Sequence, residues 1–269
     1  MLHLISLGFG VQSSTMSLMA SEGLIEPMPD GAIFADTGAE PQWVYDYMRW
    51  LIPSLRFPVH IVQKDAGLRE NIIGSVGTDH RYAGPPFYSK QGGGMLRRQC
   101  TREFKVEPIE KKCRELAGFK YGERIPGVQI SQWIGISLDE AQRMKPARVT
   151  WIQHRFPLLE QRITRGQCIE WLQSRMYPVP KKSACTFCPY RGDEGLRDLK
   201  DNDPAGWADA VYIDSLIRGG SRGAQIRGTT EQLYVHRSCV PLDQVDLRTA
   251  EEAGQLDLFG NECEGHCGV

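Results

Sequence analysis

The residues best suited to chemistry are cysteines, of which the 269-residue chain has eight. Cys185-Thr186-Phe187-Cys188 is a Cys-x2-Cys pair on a turn-like stretch ahead of Pro189, a spacing that lets two thiolates face one metal. Cys100 and Cys168 extend that pair to a possible closed tetrahedral set for zinc. Four unliganded core thiols are the plainer alternative. Cys113, on a helix-like segment, reads as ordinary packing. Cys263, His266 and Cys267 lie in the last seven residues. A tail thiol can swing over a bound substrate, and a neighbouring cation favours its thiolate. A disordered tail with an adventitious thiol pair is the competing reading.

A second group could hold an anion. Ser6-Leu7-Gly8-Phe9-Gly10-Val11-Gln12-Ser13-Ser14 follows an apolar run and opens a helix-like pattern. Glycines there let backbone N–H groups approach phosphate, the helix N-terminus adds its dipole, and Ser13 and Ser14 are set to cap the helix or bond phosphate oxygens. Asp36-Thr37-Gly38 follows the apolar run Ala32–Ala35. A carboxylate at a strand's C-terminal end can meet a ribose or a metal-bound phosphate, or simply cap the next helix. Arg97, Arg98, Arg102 and Lys105 surround Cys100, and Arg218, Arg222 and Arg227 punctuate a Gly-rich stretch. Phosphates would suit both groups, as would a solvated surface.

The elements that must position these groups follow from periodicity. Apolar runs at Leu2–Leu7, Ala32–Ala35, Phe57–Val62 and Val128–Gly135 read as strands. Trp43, Tyr47, Trp50 and Leu51 share one helical face, and Val106–Leu116 is also helical. Residues 8–14 read as turn, with helix from Thr15, and residues 82–95 as a long mobile loop rich in Gly and Pro. Strands alternating with helices predict an α/β fold: a mostly parallel, doubly wound sheet over residues 1–160, followed by a helical, Cys-rich part over 161–269.

Composition narrows the classes. Hydrophobic content of 41% and charged content of 24% are ordinary for a globular chain, and the net charge of −1 favours neither nucleic acid nor an acidic membrane in bulk. The first residues lack a basic leader and a long apolar core, and no stretch approaches the roughly 20 apolar residues of a membrane span. A cytoplasmic protein is expected, in which cysteines serve as ligands or reactive thiols rather than disulfides.

Several segments resemble the phosphoadenylyl-sulfate (PAPS) reductase family of the adenine-nucleotide α-hydrolase (PP-loop) superfamily. Gly8–Ser13 resembles its Ser-Gly-Gly-x-Asp-Ser loop, with Gly8, Phe9 and Gln12 departing from it. Phe34–Gly38 with Glu40, Pro41 and Tyr45 resembles its Asp-Thr-Gly segment. Gly135–Glu140 with Arg143 is similar to Gly-Ile-Arg-x-Asp-Glu, with Ser137 at the Arg position. Cys100–Ile109 resembles the Cys-Cys-x-x-Arg-Lys-Val-Glu-Pro-Leu segment, with Thr101 at the second Cys and Phe104 at the Arg. The tail resembles Glu-Cys-Gly-x-His.

The resemblance implies an adenine nucleotide, ATP or a sulfonucleotide (PAPS or APS), bound by Ser6, Gly8, Gly10, Gln12, Ser13, Ser14, Asp36, Thr37, Gly38, Gly135 and Arg143. It implies a [4Fe–4S] cluster on Cys100, Cys185 and Cys188, with Cys168 or an open iron as the fourth position and zinc as the alternative. It also implies Cys263 as nucleophile assisted by His266, with thioredoxin as reductant. Three matched cluster cysteines and the Arg groups favour an alternative, an ATP-dependent sulfurtransferase acting on DNA or tRNA. Gln12 and Ser137 motivate a third reading, a non-catalytic nucleotide- or nucleic-acid-binding accessory.

Overall fold

The computed structural model describes residues 1–76, 80–91, 93–218, 231–248 and 252. In chain order its first half contains β1 (Leu2–Ser6), α1 (Val11–Ser21), β2 (Gly31–Asp36), α2 (Gln42–Leu51), β3 (Val59–Gln63), α3 (Leu68–Ser75), β4 (Tyr88–Ser89), β5 (Gly94–Met95) and α4 (Glu107–Leu116). The second half adds β6 (Ile130–Ile134), β7 (Ile152–Arg155), α5 (Pro157–Glu160), α6 (Arg165–Ser174), α7 (Asp193–Asn202), α8 (Pro204–Arg218) and β8 (Leu233–Tyr234).

Five strands form one parallel sheet in the order β3-β2-β1-β6-β7. Alternation along each strand sends side chains to opposite faces. Leu4, Ile33, Ala35, Ile130 and Ile152 pack with Ile109 and Cys113 of α4. Ile5, Ala32, Phe34 and Trp133 instead face α1, α2 and α6 through Leu18, Val44 and Leu172. Both faces are therefore covered by helices, as the alternation of strands and helices predicts for a parallel sheet.

A third core lies beside the sheet and draws on the whole chain. Leu68 and Ile72 of α3, Phe87 and Phe104 join Phe187, Leu196, Ile213 and Leu233. Residues 82–95, expected as a mobile loop, help build it: Tyr82, Ala83 and Phe87 are buried. Tyr88 pairs with both Met95 and Tyr234 in a small antiparallel sheet. The apolar side chains between the prolines and glycines outweigh the turn signals. Among the described residues after 160 lie α6, α7 and α8, while Cys185 and Cys188 sit on an irregular segment between α6 and α7. Among the described residues no helix is long and apolar enough to cross a membrane.

Two buried carboxylates on the C-terminal side tie the elements together. Asp203 accepts from the Gln42 N–H at 2.9 Å and the Gly206 N–H at 2.9 Å, so it caps α2 across 161 residues of sequence. Asp214 is fully buried and accepts from the N–H groups of Val235 (2.9 Å) and Leu242 (3.0 Å) and from Arg218 Nε (2.8 Å). Burial pushes its carboxyl upward, against the pull of those donors. Asp214→Ala strands two buried N–H groups and a guanidinium. The expected cost is about 3 kcal/mol, read by calorimetry as a melting drop of roughly 6–12 °C.

Candidate functional site

The strand order places a switch point between β1 and β6: from β1 the chain winds to β2 and β3 on one side, then crosses to β6 and β7 on the other. Ligands of open α/β sheets bind beyond the carboxyl ends of the strands at such a point. Ser6 and Ile134 are register partners there, and the loops that follow them touch. A Cβ on Gly135 would lie 2.8 Å from Ser13 N and 2.9 Å from Ser13 Cα. Only glycine lets these two backbones meet.

The loop itself is short. α1 begins at Val11 with Gly10 as its N-cap and no side-chain cap, so the helix starts four residues earlier than the turn signals predict. Ser13 Oγ accepts from the Gly8 N–H (3.2 Å) and donates to Gly10 O (3.3 Å), which spans the loop. Ser14, in the first turn of α1, is fully buried. Gln12 remains half-buried at the helix start. Phe9 takes a left-handed backbone (φ 53°) and buries its ring edge-on against Phe34 at 4.8 Å, which anchors the loop to β2. The first turn of α1 leaves N–H groups without intrahelical partners at the sheet's ligand edge.

Asp36 ends β2. Its Oδ1 accepts from the Gly38 N–H at 2.8 Å and the Tyr45 hydroxyl at 3.0 Å. Burial and the adjacent carboxylate push the Tyr45 phenol well above its ordinary range. Asp36 does not cap α2; Pro41 is the N-cap and Asp203 supplies the acceptor. Gly38 (φ 66°) and Gly67 (φ 94°) close the turn, and a Cβ on Gly67 would meet Thr37 O at 2.8 Å. Arg143 pairs with Glu140 at 2.6 Å, and Asp139 accepts from the Arg165 N–H at 2.9 Å. That segment is thus drawn toward the start of α6.

Three of the four proposed metal cysteines reach one cavity. Cys100, Cys185 and Cys188 line it with Thr37, Arg98 and Lys105. The Cys-x2-Cys turn closes through Cys188 N–H to Cys185 O at 3.1 Å. It is stitched to the Asp-Thr-Gly turn by Thr186 N–H to Ala39 O at 2.8 Å, and Thr37 Oγ1 lies 3.5 Å from Cys185 Sγ. Beneath them the buried Glu40 accepts from Thr37 Oγ1 (3.2 Å), Ser183 Oγ (3.3 Å) and Lys105 Nζ (3.5 Å). Burial, with Glu40 adding, pushes the Cys185 thiol up to about 12, while Lys105 pulls the other way.

Cys168 does not belong to this group. It lies on α6 in the core shared with α1, and burial raises its thiol to about 12. Cys113 is likewise buried in the core under α4. Among the described residues no three His, Cys, Asp or Glu side chains converge closely enough to grip a metal ion. The donor chemistry nevertheless suits a soft centre: three thiols border one cavity, with Lys105 and Arg98 to offset thiolate charge. Of the basic residues, Arg97 is exposed, Arg98 stacks over Tyr190 at 5.6 Å and Arg102 pairs with Glu107 at 3.1 Å. Arg218 is held by Asp214. Cys263, His266, Cys267, Arg222 and Arg227 lie outside the described residues.

Asp203, Asp209 and Arg191 were not legible as site residues. Asp209 accepts from Thr186 Oγ1 at 3.2 Å and Arg69 Nε at 2.6 Å, and so braces the cysteine turn from α8. No local pattern marks such a role.

An open parallel α/β sheet with two glycine-packed segments meeting at its switch point, and a thiol-lined cavity that Thr37 of the β2 turn borders, is the class these features define. No protein-family model matches the chain, and no curated protein does. Among solved structures it is similar to phosphoadenylyl-sulfate (PAPS) reductase from Candida auris in a phosphate complex. The identity is 16%, the match covers 68% of this chain and 80% of that one, and the TM-score is 0.46.

Proposed function

We propose that this protein is an adenine-nucleotide-binding enzyme that carries out sulfur chemistry of the sulfonucleotide-reductase kind. The nucleotide lies across the Gly8–Ser13 loop and Asp36, with its phosphates on the first-turn N–H groups of α1. Cys100, Cys185 and Cys188 hold a [4Fe–4S] cluster, or zinc as the alternative. One observation carries the reading: Thr37 belongs at once to the turn that ends β2 and to the wall of the cysteine cavity, with its hydroxyl 3.5 Å from Cys185 Sγ. That contact supports reading the nucleotide edge and the thiols as one site. A bound cluster would supply soft-sulfur and electrostatic chemistry beside the reacting end of the nucleotide.

In this reading the Cys263 thiolate attacks the sulfur of APS or PAPS. The S–O bond to the phosphate breaks, AMP or its 3′-phosphate leaves, and a thiosulfonate remains on Cys263. Thioredoxin then supplies two electrons to release sulfite and return the thiol, with His266 assisting proton transfer. The experiment is sulfite release from each sulfonucleotide by anaerobically purified protein with thioredoxin. Wild-type turnover that Cys263→Ser abolishes is the expected result, and no sulfite from either substrate removes the reading.

The three-thiol count favours a second reading. With Cys168 elsewhere, a cluster on Cys100, Cys185 and Cys188 has no fourth ligand among the described residues at the cavity, as an ATP-dependent sulfurtransferase for DNA or tRNA would require. ATP turnover to pyrophosphate stimulated by nucleic acid would select it. Tight nucleotide binding without turnover would instead select a non-catalytic accessory.

A further inference from the structure

Residues 184–189 form an irregular segment that is buried throughout. Buried loops are uncommon because their carbonyls must find partners away from water. Arg191, itself buried, supplies them: its side chain folds back so that Nη2 donates to Ala184 O and, at 3.4 Å, to Cys185 O. Its own N–H donates to Cys188 O at 2.9 Å, and Nη1 reaches Gly195 O at 3.4 Å. One residue thus grips both ends of the Cys-x2-Cys turn.

The surroundings are shaped to this side chain. A Cβ on Gly195 would lie 3.0 Å from Arg191 Cγ, near the root of the side chain, where it cannot swing aside cheaply. Gly195 lies inside α7, where glycine costs about 1 kcal/mol relative to alanine, so its presence there calls for a packing reason, and Arg191 supplies one. Trp43 of α2 covers the guanidinium at 5.6 Å.

We propose that Arg191 is a positioning residue that sets the Cys185–Cys188 turn in its ligating shape before any metal arrives. Its planar fork suits this task because one nitrogen can serve two carbonyls while another reaches α7. The consequence for metal retention rests on the metal-site reading given above; the positioning role itself does not.

The test uses Arg191→Gln and Gly195→Ala in the full chain. Iodoacetamide labelling of metal-free protein is read at each cysteine by mass spectrometry. Cys113 and Cys168, buried in two other cores, report global opening. Both variants are expected to label Cys185 and Cys188 at least tenfold faster than wild type, with Cys113 and Cys168 unchanged. Loaded with Co2+, they should lose the ligand-field bands to EDTA at least tenfold faster. Wild-type labelling rates at Cys185 and Cys188 would overturn the proposal. An equal rise at all four cysteines would also overturn it, since Arg191 would then serve general stability. If wild-type protein binds no Co2+, the metal-site reading fails while the labelling comparison still decides the role of Arg191.

Discussion

Gly135→Ala is expected to weaken adenine-nucleotide binding at least a hundredfold while the protein remains folded. The added methyl would sit 2.8–2.9 Å from the backbone of Ser13, so one of two packed loops must move. Backbone cannot step aside as a side-chain tip can, and overpacking of this kind costs about 1–3 kcal/mol. The displaced atoms belong to the first turn of α1, whose N–H groups make the proposed phosphate cradle. A hundredfold loss corresponds to about 2.7 kcal/mol. Titration calorimetry with ATP, beside a thermal melt of the same sample, measures both quantities. Wild-type affinity in Gly135→Ala would remove the segments that follow β1 and β6 as the nucleotide site.

The second large effect concerns the thiols. Cys185→Ser should abolish iron or zinc retention, and Cys168→Ser should leave it intact, because only the first lines the cavity with Cys100 and Cys188. The proton inventory gives an additional check. Burial holds the Cys185 thiol up to about 12, above the ordinary value of 9.0. The neutral thiol is therefore the form the metal-free fold prefers. Its contribution to stability is fully present below the ordinary thiol pKa and is lost as pH rises toward 12. A metal needs the thiolate, so loading must expel that proton, and affinity falls as pH falls. Zn2+ titrations in two buffers of different ionisation enthalpy, at pH 6.5 and 7.5, count the protons released. Retention of metal by Cys185→Ser, or its loss in Cys168→Ser, would reverse the ligand assignment.

Much of this architecture was legible because it rests on local rules. Apolar runs mark β1, β2, β3 and β6 of the parallel sheet, and polar or glycine residues mark where each ends. Asp36, Thr37 and Gly38 end a strand, so any parallel sheet must place them on its ligand edge. The Cys185–Cys188 spacing likewise confines two thiols to one turn. Phe9 shows the limit of such rules. A bulky residue at a left-handed position looks unfavourable locally, yet its ring is held by Phe34 across the core.

The remainder depended on long-range packing, which carries no short-range signature. Cys168 is nearer to Cys185 in sequence than Cys100 is, yet α6 lies against α1 and takes Cys168 into a different core, while Gly84 O accepts the Cys100 N–H at 3.2 Å near the cavity. The glycines and prolines of residues 82–95 predict a mobile loop, but Tyr82 and Phe87 enter a core assembled mostly from residues beyond position 180. Asp203 caps α2 only because α8 comes to rest beside it. By itself, the sequence marked candidate residues for phosphate or metal and the strand ends at which several of them stand. Tertiary structure decided which of the six described cysteines share a cavity, because that choice follows from apolar faces meeting across more than a hundred residues.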